Sequence, residues 1–386
     1  MPSGAAHRRG PRRVPVRARD QAGAAGPRGR RRRPREPCRG TCADPGARRV
    51  GHARRRDHAR REHARPVRCA RRERLSVTGS PRGWLGPYLV LALLWGCSFL
   101  FIAIALRSFA PTQVAFGRIV IGFALLVVIL VARRERASIP RARLGDLVIV
   151  GAVMTAGPFV LFALAEQRVS SVLAGLVNAT TPLFTAMFVA ILVPHERPDR
   201  VQLVGIAAGF AGIAVLLGVW NPGAIDLLGG LMLVGATLCY GFGNAWSRRR
   251  LTGVGLSPVT LPAVQLAVGT VLLAPFALTS PLVAPVAAGP ALALAALGLG
   301  GTGLAFLLYW RVMELAGATV TASVTYVIPL VSTTLGVLVL HEDLHWYEPV
   351  GGVVVLAGVA LTQWGAARRR PRLARPVTAA AADVAG

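Results

Sequence analysis

The residues able to do chemistry in this chain lie inside apolar runs, where polar groups are costly. Arg118 sits in "FGRIVIG". A charge at the centre of a bilayer-spanning helix costs about 2.5–3.5 kcal/mol on insertion scales, so it calls for a partner, a wet cavity or an anionic solute. The plainer reading is a structural anchor. Asn178, Thr180, Thr181 and Pro182 interrupt a second run, in "VNATTPLF", and Thr325, Tyr326 and Pro329 interrupt another. Proline removes a backbone donor and frees a carbonyl one turn back, and a nearby Thr or Asn can satisfy the backbone. Both stretches therefore read as bent helices bordering a polar cavity, with packing kinks as the alternative.

Further polar and aromatic groups fall at or near run ends. Glu166 and Glu314 are coupling candidates that would titrate with a transported proton; the plainer reading is a solvated helix end. Glu196 and Glu342 read as loop anchors. Trp95, Tyr240, Tyr309 and Trp310 line a pathway for aromatic or apolar solutes, or else form an interface belt. "HEDLH", His341 to His345, matches the zinc-protease pattern, in which two His on one helix face hold the metal. The related "HERPD" lacks the second His and Pro349 follows closely, so no metal and no catalytic residue is expected. "CRGTC" at 38–42 has zinc-like spacing in irregular surroundings. Cys97 and Cys239 read as small buried hydrophobes.

These residues are set in a chain of two regimes. Residues 1–82 carry 26 Arg against 6 acids, and the other 304 residues carry 19 against 11. The head has no hydrophobic period, cannot bury a core, and is expected to be disordered. It lacks the apolar segment of a signal peptide. No nucleic-acid partner is expected. Val77 is an alternative start, and residues 1–76 are expected to be dispensable.

The whole chain is 53% hydrophobic with only 16% charge, well below a soluble protein's charge content. Runs long enough to span a bilayer fall at 87–107, 111–132, 144–164, 170–193, 201–219, 227–246, 258–279, 290–310, 317–340 and 347–365. The even joints between them hold Arg133, Arg134, Arg136, Arg141, Arg143, Arg197, Arg200, Arg248, Arg249, Arg250 and Arg311; the odd joints hold only Arg107 and Arg168. Positive charge stays inside, so both termini, including the basic tail 368–386, are expected in the cytoplasm.

A shift of 147 residues superimposes landmarks: Pro111 on Pro258, Arg118 on Gln265, Phe162 on Tyr309 and Pro182 on Pro329. With small slips, "HER" at 195 meets "HED" at 341, and Trp95–Gly96 meets Tyr240–Gly241. Two units, 83–220 and 221–367, thus hold five spans each, and an odd number of crossings inverts the second. Inverted repeats of this kind place a solute site near the midplane between the halves. Gly205, Gly209 and Gly212 in the fifth run, and Gly351, Gly352 and Gly358 in the tenth, allow close helix approach, with a homodimer interface as one use.

From "LLWGCSF", "FGRIVIG", "SSVLAGLVNATTPLFTAMFVAILVPHERPDRVQLVGIAAGFAGIAVL" and "GATVTASVTYVIPLVSTTLGVLVLHEDLHWYEPVGGVVVLAGVAL", residues 85–367 resemble the drug/metabolite transporter superfamily, specifically EamA-type permeases with two repeats. The resemblance implies an all-α integral membrane protein of ten transmembrane helices as two inverted five-helix repeats. It also implies alternating access and export of small metabolites, amino acids or drugs. A lipid-carrier or nucleotide-sugar translocator is the alternative, and an intramembrane zinc metalloprotease the remote one. The expected pathway residues are Trp95, Arg118, Asn178, Thr181, Pro182, Tyr240, Gln265, Trp310, Tyr326 and Pro329. No cofactor is expected; the expected partners are a small-molecule substrate, the lipid bilayer of the cell membrane and a proton.

Overall fold

The computed structural model describes residues 83–135, 139–193, 198–220 and 226–369. The expectations for the basic head, for Glu196 and for the tail beyond residue 369 lie outside these residues. Every regular element among the described residues is helical.

Ten apolar segments follow one another: α1 (Leu85–Ala105), α2 (Pro111–Ala132), α3 (Arg141–Ala165), α4 (Ser171–Leu192), α5 (Arg200–Leu216), α6 (Leu227–Arg250), α7 (Thr260–Thr279), α8 (Ala288–Ala322), α9 (Val324–Val339) and α10 (Tyr347–Arg369). Eight are long and apolar enough to cross a membrane; α5 and α9 are shorter apolar helices. Gly317, at φ 81, breaks the helix assigned to α8. Residues 318–322 therefore belong with α9, which restores its length. The joint expected at 311–317 is this one glycine rather than a loop.

Local chemistry sets the starts. Pro111 opens α2, where its missing N–H is no loss. Asp199 accepts from the Gln202 N–H at 2.8 Å while the Gln202 side chain accepts from the Asp199 N–H at 3.0 Å, a reciprocal cap on α5. Asp226 caps α6 through the Gly229 N–H. Arg168 pairs with Asp226 at 2.8 Å and holds its carboxyl below the usual range.

The two repeats interlock. α1 packs on α8 and α9, and α6 on α3 and α4; α2 meets α7, α4 meets α9 and α5 meets α10. The last contact uses the glycines. A Cβ on Gly205 would lie 2.7 Å from the Gly358 carbonyl oxygen, and one on Gly212 2.8 Å from the Val355 backbone nitrogen. The close helix approach expected of these glycines is found inside the chain, where bare backbone lets α5 and α10 touch. Large side chains such as Leu93, Val131, Val204, Val271, Leu278 and Leu338 face outward around the bundle, the distribution of a protein whose solvent is lipid.

Candidate functional site

The site grows from two matched irregularities. α3 and α8 each carry a π-helical turn, Ala152–Ala156 and Leu299–Leu304, starting 147 residues apart. Such turns add a residue to the helix and re-aim side chains. Each turn presents a buried threonine to the opposite repeat. Thr302 Oγ1 accepts from Arg118 Nε at 3.2 Å, and Thr155 Oγ1 donates to the Gln265 carbonyl at 3.1 Å. Gly122 and Gly269 make room, since a Cβ on either would lie within 2.7 Å of the facing threonine. The Arg118–Gln265 match in the sequence thus holds in position, but Arg118 meets its threonine through the side chain and Gln265 through the backbone carbonyl. Thr155 and Thr302 were missed, although the same shift of 147 relates them.

Arg118 is 7% exposed, with its guanidinium carbon 3.9 Å from the Phe159 ring centroid. Among the described residues, no hydrogen bond or ion pair occupies its Nη1 or Nη2. Glu166, just past the end of α3, lies close enough to feel Arg118 and Glu342 electrostatically. Both its carboxyl oxygens are buried without a hydrogen-bond partner. This corrects the solvated helix-end reading. Burial holds the Glu166 carboxyl well above the usual carboxylate range; Glu342 adds to the rise and Arg118 opposes it. Glu314 is different: its side chain is 55% exposed and it pairs with Arg311 at 3.6 Å.

Aromatic pairs repeat the pseudo-symmetry. Trp95 stands 5.7 Å from Tyr309, which stands 5.9 Å from Trp310; in the other half Tyr240 stands 6.2 Å from Phe162.

α4 breaks at Ala179 and Thr180, between Asn178 and Thr181. Pro182 leaves the Asn178 carbonyl without its helical donor, and the Thr181 hydroxyl takes that place at 2.8 Å; the Thr180 hydroxyl adds a bond to the Val177 carbonyl at 2.7 Å. Asn178 is the single residue of 171–180 that is not buried. In α9, Pro329 lies inside a continuous helix and the break comes at Ser323, whose hydroxyl accepts from or donates to Tyr88 at 3.0 Å. Tyr326 faces a lateral groove with Thr319, Gln363 and Trp364, apart from Arg118. A second shallow groove lies between α3 and α7; neither groove contains Arg118 or Asn178.

The two ends of the bundle differ. At the Arg-poor end, residues 171–178 pack against α9, and Ser171 is 2% exposed. At the Arg-rich end their counterparts Ala318 and Thr319 are exposed, and no comparable packing joins 305–322 to 181–192. Residues 341–345 are not helical, so the two His lack the helix face a zinc-protease motif requires. Among the described residues, no three His, Cys, Asp or Glu gather around a possible metal.

The EamA-like transporter family model matches residues 84–218 and again 227–364. An uncharacterized transporter of Archaeoglobus fulgidus is 27% identical over 287 residues, 71% of this chain and 96% of its own. The uncharacterized inner membrane transporter YedA of Escherichia coli is 28% identical over 279 residues, 72% of this chain and 90% of its own. A crystal structure with 24% identity covers 75% of this chain and all of its own at a TM-score of 0.55, a likeness of fold.

Proposed function

The chain belongs to the EamA-like transporter family, and on that premise we propose that it exports a small solute by alternating access, with Arg118 receiving the solute's anionic group. One observation carries this reading: a buried guanidinium whose Nε is satisfied by Thr302 and whose two terminal nitrogens have no acceptor among the described residues. That geometry suits a carboxylate taken by two parallel bonds. The Phe159 ring beside it, and Tyr240 within electrostatic reach, offer apolar surface to the rest of the solute. Amino acids, other carboxylate metabolites and drugs of that form fit. A nucleotide sugar or lipid carrier brings phosphate charge, and Arg118 is the single buried Arg among the described residues; this favours the smaller solute. Movement of labelled solutes into everted vesicles tests the proposal.

The coupling residue in this reading is Glu166. Buried and unpaired, it binds a proton more tightly than a hydrated carboxyl does. The charged groups around it are Arg118 on α2 and Glu342 in the joint after α9, with the Arg168–Asp226 pair close by in sequence and already satisfied. The sign follows from linkage. The form that buries Glu166 is favoured at low pH and loses that advantage as pH rises from the ordinary Glu value through the raised one. Glu166→Gln fixes the neutral form. Solute exchange should persist, while the response of net transport to a pH gradient should fall at least about tenfold. A variant that keeps the wild-type response would remove Glu166 from coupling.

Orientation follows the arginines: the Arg-rich end, with both termini, faces the cytoplasm. Reporter tags after Arg200 and at the C-terminus should then report cytoplasm, and tags near Asn221 and Val286 the opposite side. A reversed tag near Asn221 would break the ten-span topology. On this orientation the end where α4 packs against α9 faces away from the cytoplasm.

A further inference from the structure

We infer that Glu342 is the latch that closes the Arg-poor end of the route. The inference rests on the alternating-access reading. Helix α9 stops at Val339, and the chain turns through His341, at φ 56. The Glu342 N–H then returns to the Gly336 carbonyl at 3.1 Å. This turn aims the Glu342 carboxylate away from its own repeat and onto the first residues of α4. Oε1 accepts from the Ser171 N–H at 2.9 Å; Oε2 accepts from the Ser171 hydroxyl at 2.9 Å and from the Val172 N–H at 3.1 Å. These are donors that a helix start leaves unsatisfied, and its dipole favours a negative charge there.

The latch sits in a fitted seat. A Cβ on Gly336 would lie 2.8 Å from Oε2 of Glu342 and 3.1 Å from the Ser171 hydroxyl. Directly inward, Gly175 of α4 leaves no room for a Cβ beside the hydroxyl of Ser332, which is 2% exposed. So the carboxylate ties α4 to α9 where the two halves close, and the seam behind it is sealed by small residues. Glu342 touches no solute; it is a positioning residue. When α4 leaves α9, the three donors turn to water and the Glu342 carboxylate is free to follow.

The other end supplies the comparison. Ala318 and Thr319 are exposed and α4 and α9 are not packed together there. The bonded end is the closed end.

The test uses the full chain with its five native cysteines replaced and one cysteine at Ser332, reconstituted into liposomes. A membrane-impermeant maleimide is applied from the Arg-poor side. Glu342→Ala should raise the labelling rate of Ser332→Cys about tenfold or more by shifting population toward the open end. Glu342→Gln, which keeps one acceptor, should raise it less, and Gly336→Ala should raise it by wedging the seat. Thermal melting of each variant separates opening from unfolding. Faster labelling at an unchanged melting temperature supports the latch, even if none of the solutes tried is transported, so failure of the transport reading stays distinguishable. Unchanged labelling in folded Glu342→Gln and Gly336→Ala protein overturns it, whatever the transport rate.

Discussion

Arg118→Ala is expected to lower transport of a carboxylate-bearing solute by about two orders of magnitude, the loss that roughly 3 kcal/mol of charge-assisted bonding would produce. The protein should still fold. Among the described residues Arg118 makes one hydrogen bond, to Thr302, and one ring contact, to Phe159, so its removal leaves a single hydroxyl there to rearrange. That hydroxyl keeps a second bond, to the Leu297 carbonyl at 3.1 Å. Arg118→Lys should retain part of the activity, because the charge survives while the planar fork is lost. Transport assays paired with the amount of folded protein check this. If Arg118→Ala fails only through misfolding, or folds and transports normally, Arg118 is an anchor and the solute site lies elsewhere.

The second large effect is structural. Gly358→Ala is expected to destabilise the bundle by about 3 kcal/mol, the upper end of overpacking costs. The added methyl would lie 2.6 Å from the Gly205 carbonyl oxygen and 2.6 Å from the Gly209 nitrogen. Both are backbone atoms in a second packed helix, so neither can swing aside as a side chain would. Gly145→Ala is the control: it meets nothing within 4 Å and lies in the first turn of α3. It should be neutral or slightly stabilising. Melting temperatures in detergent, read beside the oligomeric state, give the answer. A loss of oligomer without loss of monomer stability would return these glycines to a dimer interface.

Much of this was legible before any coordinates. Ten apolar runs predict ten crossings to within a few residues at most ends, because span length is fixed by the bilayer. The repeat was legible because Pro182 and Pro329, or Arg118 and Gln265, recur at one spacing. The Thr181 bond to the Asn178 carbonyl follows directly from placing a threonine before a proline in a helix. Burial was not legible. Glu166 and Glu314 look alike in sequence, yet one has both carboxyl oxygens buried and the other is exposed beside Arg311. That difference depends on which neighbours the fold brings against each helix end, and composition does not carry it. Glu342 read as a loop anchor, and it is one; its partner on α4 lies 171 residues away, and no local pattern announces that. The π-helical turns escaped for a related reason: one extra residue in an apolar run of Gly, Ala and Thr leaves hydropathy unchanged.

The central claim is that a solute with an anionic group crosses the membrane between the two repeats. Everted vesicles holding the full chain, given a panel of labelled amino acids, carboxylate metabolites and their toxic analogues with and without an imposed proton gradient, test it most directly. The account predicts that at least one carboxylate-bearing solute accumulates above vesicles lacking the chain, that the gradient alters the rate, and that Arg118→Ala abolishes the accumulation. Accumulation of none of them by folded, inserted protein, or uptake indifferent to Arg118, would contradict it.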